Sequence, residues 1–78
     1  MKLLDTVVLV GAVNPKDKHH EMARKHLDSL KSNPEVFIPT TTILEFDLEL
    51  KAHGYTYNER QITFEDLLPK IPEEKILA

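Results

Sequence analysis

The chain has 78 residues, no cysteine and a formal net charge of -3. That allows one domain at most, excludes disulfides and thiolate metal sites, and argues against a broad basic footprint for nucleic acid. Hydrophobic content of 41% and charged content of 29% are ordinary for a folded globular chain and exclude wholesale disorder. So small a domain buries only about 60% of the surface its unfolded chain exposes, and small scaffolds gain stability from a metal or a partner chain when disulfides are absent. Asp5 interrupts the N-terminal apolar run, no small-residue cleavage site follows, and no stretch approaches the ~20 apolar residues that span a bilayer. The expectation is a soluble, cytoplasmic protein with no membrane association.

Met1 to Asp5 reads as a first strand, and its apolar side chains suit a strand covered on both faces. Asp5 then stands at the carboxyl end of that strand, where α/β sheets collect ligands. It is equally a favoured helix N-cap, and both roles stay open. Thr6 to Val13 predicts a short buried helix, started by Asp5-Thr6 and stopped by Asn14-Pro15, although so short a run is also compatible with a longer strand. Asn14-Pro15-Lys16-Asp17 is a turn, with Asp17 the expected N-cap of a second helix reaching about Ser32. Ala23, Leu27 and Leu30 mark the apolar face of that helix, and Asn33-Pro34 ends it.

Glu35 to Pro39 predicts a second strand, and a strand, helices and strand in this order predict a right-handed crossover and a parallel pair. Thr40-Thr41-Thr42 opens a third helix that closes on Gly54 as its C′ residue. Thr56 to about Leu68 is a fourth helix, with Ile62, Leu67 and Leu68 among its apolar positions, broken by Pro69 and Pro72. Lys75 to Ala78 begins a third strand. The fold class expected is therefore α/β, a short parallel sheet flanked by helices in a single domain spanning residues 1–78.

Glu45 and Glu49 share one face of the third helix, and like charges at that spacing repel. Three explanations stay open: a wet helix face, a Thr42-x-x-Glu45 capping box, or a divalent cation held by Glu45 with Asp5. Asp47 is expected to pair with Lys51, four residues on. His19 and His26 lie two helical turns apart, ~10–11 Å from the helical rise, which is too far for one ion; His19, His20 and His26 are therefore expected on the surface. His53 suits the dipole at a helix end. Tyr55, Tyr57 and Phe64 are expected to pack against the third helix. With only Gly11 and Gly54, there is no glycine-rich phosphate loop.

Leu3-Leu4-Asp5-Thr6, followed some forty residues later by Ile38-Pro39-Thr40-Thr41-Thr42-Ile43-Leu44-Glu45-Phe46, resembles the PIN-domain family. The intervening helix with His19, His20 and Ala23 resembles that family's second helix. Many members are magnesium- or manganese-dependent ribonucleases, including the VapC-like toxins of toxin–antitoxin pairs. The resemblance implies that Asp5 and Glu45 are the first two acidic residues of the site, catalytic and metal-ligating. Thr6 answers to the short hydroxylated residue after the first aspartate, and Glu49 is a further supporting residue. It also implies magnesium or manganese as cofactor, RNA as substrate, and a second copy or an antitoxin-like protein as partner. The family's third and fourth acidic positions lie in a later helix and strand, beyond the stretch that matches, and Glu65-Asp66 and Glu73-Glu74 come too early to stand for them. The expectation is a PIN-like domain lacking the C-terminal part of the family fold and holding half of the acidic quartet, which leaves its activity alone in doubt. The alternative is a non-catalytic interaction module that dimerises or pairs through its sheet edge, favoured by the apolar Ile76-Leu77-Ala78.

Overall fold

A computed structural model describes residues 1–78. Its elements run β1 (Lys2–Leu3), α1 (Thr6–Val13), α2 (His20–Ser32), β2 (Val36–Pro39), α3 (Thr40–Ala52), α4 (Tyr57–Leu67) and β3 (Ile76–Leu77), with single 3-10 turns at Leu68–Lys70 and Glu73–Lys75. The three strands form a parallel sheet in the order β1-β2-β3, so the expected α/β class and parallel pairing are found. No helix is long and apolar enough to cross a membrane.

Register decides which side chains meet the helices. Leu3 lies opposite Phe37 and Pro39 opposite Leu77, and alternate residues of a strand point to opposite faces. Leu4, Val36 and Ile38 therefore share one face, and all three are buried in a core completed by Leu9, Leu27, Leu30, Phe46, Leu50, Leu67 and Ile71. Leu3, Phe37, Pro39 and Leu77 share the other face, and none of them joins that core. Coverage of the strands on both faces is thus not found. Leu3 stays 51% exposed, and the Phe37 ring is met by the Lys75 ammonium 4.6 Å from its centroid. The same ammonium donates to the carbonyls of Asn33 and Val36, both at 2.9 Å. The Thr40 hydroxyl donates to the Leu77 carbonyl at 2.9 Å, so side chains pin the short third strand.

The apolar face of α2 is as its spacing predicts, with Ala23, Leu27 and Leu30 all buried. Its start differs. Asp17 accepts from the backbone N–H of His19 at 2.8 Å, closing a turn, and the helix begins only at His20 with no side-chain cap. α1 packs between α2 and α3, closest to α2 at Gly11, where a Cβ would lie 3.0 Å from that of Ala23.

α3 starts directly out of β2, with Pro39 as N-cap, so Thr42 lies inside the helix. Its hydroxyl donates to the Leu4 carbonyl at 3.2 Å, and of the three explanations open for Glu45 the capping box with Thr42 does not form. Gly54, at φ +88°, closes the helix as expected. Tyr55 N–H donates to the Leu50 carbonyl and Gly54 N–H to that of Lys51, the paired bonds of a Schellman end.

Asp47 is held not by Lys51 but by Arg60, whose Nε donates to it at 3.1 Å while Nη1 donates to the Tyr55 carbonyl at 2.8 Å. This fastens α4 to the end of α3. Phe64 meets Phe46 edge to face at 5.5 Å, and Tyr55 packs on the core. Tyr57, by contrast, is 65% exposed and does not pack as expected. Ile62 and Leu68 are also exposed, leaving Leu67 as the buried apolar position of α4. A capping box does occur in the protein, at Thr56 and Glu59. There the Thr56 backbone N–H, and then its hydroxyl, hold the Glu59 carboxyl below its ordinary value.

Candidate acidic cleft

β1 delivers Asp5 to the carboxyl end of the sheet, where the chain turns into α1. Asp5 has extended backbone angles and its carboxylate accepts from the Val8 N–H at 3.2 Å, so it caps α1. The next residue, Thr6, donates its hydroxyl to Glu45 Oε2 at 3.1 Å. Thr42 and Glu45, one turn apart on α3, therefore grip consecutive points of the first segment, Leu4 and Thr6. The buried Thr42 bond fixes the helix against the strand end, and the exposed Thr6 bond fixes the Glu45 carboxylate.

The cleft between α1 and α3 has a volume of about 490 Å³ and is lined by Thr6, Val7, Val10, Asp17, Glu45, Leu48 and Glu49. Three carboxylates line it and no lysine or arginine does, so its potential is negative. Of the expected residues, the structure brings Thr6, Glu45 and Glu49 together in this cleft. Asp5 is adjacent through Thr6 but is not among the lining residues. Glu49 Oε2 lies 3.9 Å from His53 Nδ1, and that nitrogen also bonds the Glu49 carbonyl at 2.7 Å. A carbonyl only accepts, so Nδ1 is the donor and His53 serves the helix end as expected.

Asp17 lines the cleft as a residue that spacing does not single out. Its sequence signal, an aspartate after a proline turn, reads as a cap, and only the fold of the 14–19 loop turns it toward α3. His20 also departs from expectation: it is not a free surface histidine, since its Nδ1 donates to the Gly11 carbonyl at 2.8 Å.

Asp5 and Glu45 each spend one carboxylate oxygen on a donor and keep the other free. No three His, Asp or Glu side chains converge on one point. One free oxygen on each of two carboxylates is what Asp5 and Glu45 offer a cation, too few for a fully caged ion. No family model matches the chain, and no curated protein or solved structure is significantly similar to it.

Proposed function

We propose that the chain is a PIN-like domain of metal-dependent ribonuclease ancestry, acting on RNA through the carboxylates of Asp5 and Glu45. The observation that supports this reading is the bond from Thr6 to Glu45, which ties the neighbour of Asp5 to the second acidic position at the carboxyl end of a parallel sheet. Asp5 and Glu45 would hold the ion, and Thr6 restrains the Glu45 rotamer. When bound, magnesium or manganese supplies an activated water and neutralises charge on the leaving oxygen. Val7 and Leu48, both apolar and exposed beside the carboxylates, give the phosphodiester a partly dry wall. With so few protein ligands, Asp5 and Glu45 would hold the ion only weakly.

The test is manganese-dependent cleavage of single-stranded RNA by the purified chain. Asp5→Asn keeps a good N-cap while removing the charge, so it preserves α1 and is expected to abolish cleavage. No cleavage with either magnesium or manganese would refute the enzymatic reading.

A second reading is favoured by the uncovered sheet face. Parallel sheets are normally covered on both sides, yet Leu3 is exposed, Phe37 and Leu77 are only half-buried, and none of the three joins the core. On this reading the protein is a non-catalytic module that dimerises through its sheet. Sedimentation velocity showing only monomer at high concentration would rule it out.

A further inference from the structure

We propose that the cleft between α2, α4 and the end of α1 binds a phosphate monoester carrying an apolar group. The cleft is separate from the acidic one and has a volume of about 370 Å³, within the ~300–1,000 Å³ of small-ligand sites. Its chemistry is opposite in sign. Arg24 from α2 and Lys70 from the turn after α4 both line it, and neither is engaged in any ion pair or side-chain hydrogen bond within the protein. Arg24 presents the planar fork that matches phosphate oxygens, and Lys70 adds a mobile point charge.

His20, one turn before Arg24, is the third polar wall. Its Nδ1 donates to the Gly11 carbonyl at 2.8 Å, which fixes the ring in the wall of the cleft. Asp66 lines the same cleft and works against an anion, which sets two permanent cations against one carboxylate. The buried side chains of Leu27 and Leu67 form the base. That apolar base distinguishes the site from a surface charge cluster, because it rewards the organic part of the ligand.

The experiment is a titration of the labelled full chain with phenyl phosphate and with inorganic phosphate, followed by amide NMR. Saturable shifts are expected on residues 12–15, 20–27 and 62–70, with inorganic phosphate at least about tenfold weaker because it cannot bury a ring. Arg24→Gln and Lys70→Gln, both at exposed positions, are each expected to weaken phenyl phosphate by about tenfold. Lys25→Gln, the neighbouring cation that does not line the cleft, should leave it unchanged. Non-saturating or scattered shifts, equal affinity for the two probes, or an equal loss in Lys25→Gln would overturn the proposal.

Discussion

Gly11→Ala offers a test of the helix packing that holds the first strand end in place. In an exposed helix interior this change stabilises by about 1 kcal/mol, because alanine is the better helix former. Here the new methyl would sit 3.0 Å from the Cβ of Ala23. That atom is rigidly tied to the α2 backbone and cannot swing away, so the helices must separate by several tenths of an ångström. Overpacking of this kind costs about 1–3 kcal/mol. The overpacking outweighs the propensity gain, and a net loss of about 1 kcal/mol is expected, a fall of about 4–8 °C in Tm for a domain of this size. Ala23→Gly alone loses about 1 kcal/mol of propensity and a buried methyl of similar worth.

The double variant exchanges the two methyl positions and removes the clash, so it should be nearly as stable as the native chain. The cycle then shows a favourable coupling of about 3 kcal/mol, against the near-additivity of independent sites. Urea unfolding followed by circular dichroism measures all four corners. A Gly11→Ala chain more stable than native, or additive single changes, would refute the close approach of α1 to α2.

Two further changes probe other parts of the scaffold. Phe46 is fully buried and paired edge to face with Phe64; Phe46→Ala should cost about 3–5 kcal/mol, a large share of the ~4–12 kcal/mol expected for a chain of this length, and a loss under ~1 kcal/mol in urea unfolding would contradict the core described. At the start of α4, the folded Glu59 carboxyl lies below its ordinary value of 4.5. The unfolded chain therefore takes up the proton first, so this contribution is complete above pH 4.5 and disappears as the pH falls through the lower folded value. Thr56→Ala should lower Tm at neutral pH and flatten its acid decline, measured by thermal melts from pH 7 to pH 3; an unchanged slope would argue against the capping box.

Features set by short-range chemistry were legible in the sequence. Asp5 before an apolar run, Asn33-Pro34, and Gly54 after a helical stretch each constrain the backbone locally, and the elements begin or end there. Ala23, Leu27 and Leu30 likewise reveal their face by spacing alone. Two of the departures involve competition between local and distant partners. Thr42-x-x-Glu45 has the pattern of a capping box, but β2 enters α3 two residues earlier and leaves both side chains to bond the first segment. The same pattern at Thr56-x-x-Glu59 does cap, because Gly54 has ended the preceding helix there. Asp47 passes over the helical neighbour Lys51 for Arg60, a choice made by the packing of α4. The one-sided sheet was not legible either, since Leu3 and Leu4 are equally apolar and only the register separates them. In the acidic cleft, Thr6, Glu45 and Glu49 were foreseeable, whereas Asp17 arrives through a loop conformation that no spacing encodes.

The central claim is that the carboxylates of Asp5 and Glu45 together gather a divalent cation. A manganese titration of the labelled chain, read by paramagnetic broadening of its amides, tests this most directly. The account predicts broadening confined to the start of α1 and to α3 around Glu45, abolished by Asp5→Asn and by Glu45→Gln while the rest of the spectrum is unchanged. Broadening that is absent at millimolar manganese, or that survives both substitutions, would contradict it.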